Sequence, residues 1–296
     1  MSSRTTLCLA LCLGAAAGHA QPRPTPPPRR PATASPLVAS QTPSLSGPDT
    51  VPELPEGAPD GWDLSRREAV LEHIRAAGLG NPAAGARAVA QALLVGLDPE
   101  TAAQALDTLA ALARPEGSVA VLRFLEHRRP SLRRHAIVAA QAIATRPMAR
   151  ALEVRLGDPD AAVRADAAMA LAEVGDARSL PRLWSALDRD LTATLHPESG
   201  LAHGCVVALA RRGGADDVAR LVSYLRRAPF AAMADGLRAA LARRDLDDAL
   251  KMRVVRAMAD LSTPEVQAFL NQAAEAHRGP SAPWVEFARA AAARIQ

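Results

Sequence analysis

The stretch ALEVRLGDPDAAVRADAAMALAEVGDA, residues 151–177, has the pattern of two helices joined by a Gly-Asp-Pro-Asp turn. Asp158 suits the N-cap of the second helix, with Pro159 at its first position and Asp160 in its first turn, where the helix dipole favours a carboxylate. Apolar residues then recur every three or four positions, which predicts one buried side. The residues on that side are Val163, Ala167, Leu171 and Val174. Because these side chains are small, two such helices bury too little apolar surface to be stable alone.

The chain supplies neighbouring helix pairs with the same pattern. A shift of 31 residues places the apolar side of this helix over the one upstream, and it also places Arg164 over Arg133. The first helices follow the same period at Leu125, Leu156 and Leu187. Downstream the shift is 38 residues, and the additional residues are assigned to a longer turn at 190–200. A period of about 30 to 40 residues with two helices per unit is typical of an α-solenoid.

Xaa-Pro-acid steps recur along the chain, and each one is interpreted as a helix start. They are Asp98-Pro99-Glu100, Arg114-Pro115-Glu116, Asp158-Pro159-Asp160, His196-Pro197-Glu198 and Thr263-Pro264-Glu265. Helical segments follow one another from about residue 63 to the end, with no alternating strand pattern. We therefore predict an all-α fold, an α-solenoid of about six to seven helical hairpins over residues 62–296.

Residues 156–187, LGDPDAAVRADAAMALAEVGDARSLPRLWSAL, resemble the bacterial HEAT-like repeats of the PBS-lyase type, first associated with phycobilin lyase subunits. The resemblance lies in the Gly-Asp-Pro turn, the Val-Arg step and the Ala-rich second helix that ends in Gly-Asp. It is weaker over residues 118–245, and at both ends of the chain it rests on helix spacing. The resemblance implies a curved helical solenoid of a kind commonly used for protein binding, with second helices on its concave face.

Enzymes that resemble such repeats can be compared with this chain. Di-iron HEAT-repeat hydroxylases use His-Glu pairs as ligands, and the chain has no His-Glu dipeptide. Helical-repeat DNA glycosylases use residues on the concave face, whereas Trp184 belongs to a first helix and so to the outer layer. A bilin lyase would need a pigment-bearing partner, for which the sequence offers no support. We find no catalytic constellation and predict that the chain is not an enzyme and has no cofactor. The alternative is a solenoid enzyme or a nucleic-acid-acting protein of the glycosylase type.

The N-terminal residues indicate export and a spacer. Residues 1–20 carry Arg4, a short apolar run, and the small residues Gly18 and Ala20, which is the pattern of a secretory signal peptide cleaved after Ala20. This predicts a periplasmic or secreted protein, and an uncleaved membrane anchor is the alternative. Residues 21–61 hold 12 of the 24 prolines, which predicts a disordered linker. A ligand for a groove on another protein is the second interpretation of that segment.

Composition narrows the possible ligands. The net charge is +4 and aromatic residues make up 3% of the chain, which argues against a nucleic-acid partner that depends on strong positive charge or base stacking. Cys205 is the one cysteine outside the predicted signal peptide, and the repeat places it in the core. His203 lies two residues away and would diverge from it on a helix, so we set aside a metal site formed with His196 and Glu198.

A partner-binding surface is predicted on the opposite side of the second helices. The two shifts align Met169 with Val138 and Val207, so the three side chains would form a row across consecutive units. Residues at its edges are Arg134, His203 and Arg238. An exposed apolar row would bind a protein or peptide, and the alternative is ordinary core covered by curvature or by the long turn. We predict a non-enzymatic protein-binding scaffold, monomeric, with a partner that the sequence does not identify.

The repeated arginines allow two interpretations. Arg133 and Arg164 occupy equivalent positions just inside their helices. They could form a ladder for acidic partners, or they could reach acidic or carbonyl groups such as those of Asp158 and Asp160 and so hold adjoining units together.

Overall fold

The computed structural model describes residues 80–193, 199–279 and 282–295, which form 13 α-helices and one 3-10 helix and contain no strand. The α-helices are α1 (Pro82–Val95), α2 (Pro99–Leu112), α3 (Ser118–Leu125), α4 (Pro130–Ile143), α5 (Arg146–Arg155), α6 (Ala161–Val174), α7 (Leu180–Ala193), α8 (Ser199–Arg212), α9 (Ala215–Tyr224), α10 (Phe230–Ala242), α11 (Asp248–Ala259), α12 (Pro264–Ala276) and α13 (Pro283–Ala292). The 3-10 helix, Pro115–Gly117, precedes α3. The prediction of an all-α fold is confirmed.

The helices pack in two rows. The second helices of the hairpins, α2, α4, α6, α8, α10 and α12, each contact the next one along the row. In the first-helix row, α1, α3 and α5 pack in succession, and so do α9, α11 and α13. Six hairpins and a final helix therefore stack as an α-solenoid in the described residues. This arrangement confirms the predicted α-solenoid of helical hairpins over the residues that the structure describes.

The small side chains of residues 151–177 are buried by neighbouring hairpins. Val163, Ala167 and Leu171 have no exposed surface, because α6 contacts its own first helix α5 and the second helices on both sides, α4 and α8. Alanine at these positions allows helix backbones to approach closely, so many small contacts replace a few large ones. The stack as a whole supplies the core that one hairpin lacks.

The starts of the helices agree with the sequence at two Xaa-Pro-acid steps and differ at a third. Asp98 and Thr263 cap α2 and α12 as expected. In the quoted stretch, however, Asp160 and not Asp158 is the N-cap of α6, and its carboxylate accepts the Val163 N–H at 3.0 Å. The prediction was wrong here because the Asp158 side chain is buried and accepts a hydrogen bond from Arg133 of the preceding unit.

Two glycines bring three second helices unusually close. A Cβ at Gly204 of α8 would lie 2.7 Å from the Ala168 Cβ of α6, and one at Gly236 of α10 would lie 2.5 Å from Cγ1 of Val206. Residues 204–210 of α8 are all buried, and Val207 is only 3% exposed. The prediction that Val207 belongs to an exposed row is therefore wrong.

Several predictions concern residues outside the described ones. They are the signal peptide at 1–20, the linker at 21–61, the Pro197 helix start, and the metal-ligand candidates His196 and Glu198. Among the helices that the structure describes, none has the length and hydropathy needed to cross a membrane.

Candidate functional site

Two neighbouring second helices leave large apolar side chains exposed. Val138 on α4 is 51% exposed and Met169 on α6 is 39% exposed. They occupy the same place in consecutive units, and α4 packs directly against α6. Exposed apolar side chains grouped in this way are typical of interaction surfaces. We call Val138, Met169 and the flanking residues Arg134 and Asp166 the α4–α6 patch.

The charged edge of the patch connects the two helices. The Arg134 Nε donates to the Asp166 Oδ2 at 2.6 Å, and both side chains are partly open to solvent. The hydrogen bond from Arg134 to Asp166 and the charge of that carboxylate raise the pKa of the guanidinium. Arg134 therefore stays positive and holds its carboxylate partner beside the apolar pair.

The other predicted edge residues lie further along the stack and make contacts between helices. The His203 Nε2 is 3.6 Å from the Asp235 Oδ2 on α10. Arg238 donates to the Asp235 Oδ1 at 2.5 Å and lies over the Phe269 ring of α12, 5.1 Å from its centroid. The structure therefore places Arg134, Val138 and Met169 on two adjacent helices and buries Val207, whereas His203 and Arg238 both contact Asp235.

Arg133 holds adjoining units together, as the second interpretation of the repeated arginines proposed, whereas Arg164 stays within its own unit. The Arg133 Nη2 donates to the Asp158 Oδ1 at 2.5 Å, and both side chains are buried. Its Nη1 donates to the carbonyls of His127 and Arg128 at 2.8 and 3.0 Å. Arg164 instead reaches the carbonyls of its own turn, with the nearest contact to Asp158 at 2.7 Å.

The possible metal ligands on α8 point to different surroundings. Cys205 is completely buried, and that burial raises the pKa of its thiol, so it stays protonated. His203 lies near the surface, facing Asp235. Within the described residues, no group of three or more His, Cys, Asp or Glu side chains is arranged to hold a metal ion.

The sequence analysis missed a groove of about 780 Å³ on the first-helix row, between α7 and α9. At its floor the Trp184 Nε1 donates to the Asp217 Oδ1 at 2.8 Å, and the Trp184 and Tyr224 rings meet with centroids 5.4 Å apart. The Arg220 guanidinium lies 4.0 Å from the centroid of the Trp184 ring. We call this space the α7–α9 groove. Its lining residues are Ala177, Leu180, Pro181, Trp184, Ser185, Asp188, Arg189, Thr192, Asp217 and Arg220.

A polar network fixes the aromatic pair in this groove. The Tyr224 hydroxyl donates to the Asp188 Oδ1 at 2.5 Å, and the Arg220 Nη2 donates to the Asp188 Oδ2 at 3.2 Å. Burial raises the pKa of Tyr224, and the hydrogen bond to Asp188 raises it further. Trp184 lies in a first helix as predicted, but neither repeat shift aligns it with Tyr224. For that reason the sequence periods did not indicate the groove.

Comparison with known proteins finds similarity in structure and none in sequence. No protein-family model matches the chain, and no curated protein is similar to it in sequence. Its structure is similar to one described as the complex of CpcE and CpcF of phycocyanin lyase from Nostoc sp. PCC7120. The TM-score is 0.45, the sequence identity is 19%, and the match covers 70% of this chain and 93% of that chain. The α-solenoid assignment rests on the packing of the chain's own helices.

This match corrects one expectation from the sequence. We predicted that the chain is not an enzyme because no catalytic motif was found. The similar structure is described as that of a phycocyanin lyase, so the prediction that this chain is not an enzyme is withdrawn. The lack of such a motif therefore does not exclude catalysis.

Proposed function

We propose that the chain is a protein-binding α-solenoid that holds a segment of a partner protein against the α4–α6 patch. The observation that carries this proposal is the exposure of Val138 and Met169 at equivalent positions of adjacent helices. The equivalent residue of α8, Val207, is buried. The repeat position alone therefore does not determine exposure, and Val138 and Met169 are the two residues at this position that remain accessible to a partner. The proposed binding surface therefore contains Arg134, Val138 and Met169 of the six residues predicted from the sequence.

The patch favours a partner segment with an apolar side chain followed by polar groups. Met169 has an unbranched, polarisable side chain that adapts to the shape of a ligand, while Val138 is rigid. The Arg134–Asp166 pair beside them offers one cation and one anion to the polar part of the segment. Because two exposed side chains form a small surface, we expect an affinity typical of transient complexes.

The test uses the full chain with both patch residues changed, Val138→Asp and Met169→Asp. The matched control is Val154→Asp, because Val154 is 56% exposed on the first helix α5 and lies outside the patch. Each protein is immobilised and exposed to extract from the organism that makes it, and retained proteins are quantified by mass spectrometry. We expect a partner held by the wild type and the control to be lost from the double variant at unchanged circular dichroism. Equal retention by all three proteins would rule out the patch.

A second copy of the chain is the competing occupant of the patch. We propose that the protein is monomeric, since two side chains cover less area than a stable dimer needs. Analytical ultracentrifugation of the wild type and the double variant tests this point. A wild-type dimer that becomes monomeric in the double variant would assign the patch to self-association.

We also propose that the protein works in the periplasm or outside the cell. The support is the signal-peptide pattern of residues 1–20 and the proline-rich segment that follows. N-terminal sequencing of the native protein from a fractionated culture should give Gln21 as the first residue, in the periplasmic or extracellular fraction. Recovery of Met1 in the membrane fraction would support the anchor instead.

A further inference from the structure

We propose that the α7–α9 groove is a second binding site, which takes an acidic peptide segment of a protein partner through Arg189 and Arg220. The site lies on the first-helix row, whereas the α4–α6 patch lies on the second-helix row. It therefore does not depend on the function proposed above.

The groove is built from side chains that hold one another in place. The Arg220 guanidinium stacks on Trp184 and donates to Asp188, which also accepts from Tyr224. Trp184 lines the groove and packs against Tyr224, and both rings are almost completely buried. Because these contacts fix the guanidinium before any ligand arrives, little conformational entropy is lost when an anion binds to it.

Both carboxylates in the groove already have partners. The Asp217 Oδ1 accepts from Trp184 and its Oδ2 accepts the Gly214 N–H at 2.9 Å. The Asp188 Oδ1 accepts from Tyr224 and its Oδ2 accepts from Arg220. Each of these carboxylate oxygens therefore accepts one hydrogen bond within the protein, which occupies one of its two acceptor positions.

The two arginines of the groove have N–H groups that donate no hydrogen bond within the described residues. Arg220 uses Nη2, and its Nε and Nη1 have no acceptor among the described residues. Arg189 donates from Nε to the Ser185 carbonyl at 3.3 Å, and both of its Nη groups have no acceptor in the same part of the chain. Because these N–H groups need acceptors, the groove favours a ligand that supplies hydrogen-bond acceptors. A carboxylate forms strong charge-assisted hydrogen bonds with guanidinium groups, so we expect it to be the preferred ligand group.

The rim of the groove adds a requirement for apolar side chains next to the carboxylate. Ala177, Leu180 and Pro181 line this rim beside Trp184. A peptide in which Glu alternates with Leu carries both kinds of side chain along its whole length, so it can present a carboxylate to the arginines and a leucine to the apolar residues. Free acidic metabolites lack this apolar part, and for that reason we assign the groove to a peptide.

The test measures binding of a short fluorescent peptide of alternating Glu and Leu by anisotropy, with the full chain in excess. The comparison peptide has Gln in place of every Glu. Arg189→Gln removes one uncommitted guanidinium while leaving the Trp184 network intact. The control is Arg182→Gln, which removes the same charge from the same helix, since Arg182 pairs with Glu153 at 3.3 Å and does not line the groove.

We expect the wild type to bind the Glu peptide and Arg189→Gln to bind it about tenfold more weakly, as for one charge-assisted hydrogen bond. Arg182→Gln should bind like the wild type. A second variant, Ser185→Glu, places a carboxylate near the same donors and should also block binding. The double variant of the α4–α6 patch should bind the peptide normally, which separates the two proposals.

Three results would overturn the proposal. The first is no binding of the Glu peptide by the wild type. The second is equal binding of the Gln peptide, which would show that the carboxylates are not recognised. The third is equal weakening by Arg189→Gln and Arg182→Gln, which would indicate attraction to the overall charge of α7 and not a site.

Discussion

Changing Asp158 to Asn tests whether the buried contact between Arg133 and Asp158 holds adjoining hairpins together. The side chains of Arg133 and Asp158 are 7% and 0% exposed, and their 2.5 Å contact joins α4 to the turn before α6. The amide oxygen of the substituted side chain can still accept the Asp160 N–H, which the carboxylate accepts at 3.0 Å. The substitution therefore removes the negative charge of Asp158 but preserves the hydrogen bond from the Asp160 N–H. Arg155, whose Nη1 lies 3.3 Å from the Asp158 Oδ2, also loses its charged partner.

The magnitude follows from what remains around Arg133. Its guanidinium keeps the carbonyls of His127 and Arg128, but it loses the only carboxylate it contacts among the described residues. Loss of one partner from a buried ion pair costs about 3–5 kcal/mol. Because two hydrogen bonds to Arg133 survive, we expect the lower end of this range, about 3 kcal/mol of unfolding free energy.

The control has the same substitution at an exposed ion pair between the same two hairpins. Asp166→Asn removes the negative charge from the contact with Arg134, whose side chain is 52% exposed, and exposed pairs contribute under about 1 kcal/mol. Urea unfolding followed by circular dichroism measures both variants, and hydrogen exchange with mass spectrometry shows where the loss occurs. Asp158→Asn should raise exchange in α4 to α6 more than in α10 to α13. If it costs no more than Asp166→Asn, the buried pair does not hold the stack together.

Three further predictions concern a helix end, a helix contact and a titrating group. Ala144 ends α4 with φ at 52°, so Ala144→Gly should stabilise the protein by about 1 kcal/mol. Ala142→Gly, at an exposed position in the last turn of the same helix, should instead destabilise it in urea, by up to about 1 kcal/mol. Gly236→Ala should cost about 1–3 kcal/mol despite its better helix propensity, and adding Val206→Ala should recover part of the loss in thermal melts. Tyr224 is the one tyrosine of the chain, and burial raises its pKa. Its absorbance titration should therefore have a midpoint above about 10 when folded and near 10 in urea, with stability lost as pH rises through the folded pKa.

The repeat period was sufficient to predict the fold because stacking imposes the same burial on every unit. Val163 and Leu171 are buried where the spacing placed them, and Arg133 reaches the acidic turn that its repeated position indicated. Each of these features depends on residue type at a fixed place within one repeat. Such features can be read from a sequence without knowledge of distances between helices.

The features that were missed depend on distances between helices. Val207 has the same helical phase as Met169, yet it lies on a helix that packs closely against α6 at Gly204 and against α10 at Gly236, and it is buried. The N-cap of α6 moved because Asp158 is engaged by a residue 25 positions away. The α7–α9 groove forms where Trp184 meets Tyr224 across units, and these two residues share no repeat position.

The contacts that stabilise the stack also determine the geometry of the α4–α6 patch. Arg133 and Arg134 are adjacent on α4, and they bind the next hairpin at a buried and an exposed carboxylate. Together they set where Val138 lies relative to Met169, so a partner that contacts both side chains meets a surface that is already ordered. Asp158→Asn should therefore weaken partner binding as well as stability, although Asp158 is buried and does not touch the partner. Partner binding at full strength by a destabilised Asp158→Asn protein would show that the patch does not depend on this stacking contact.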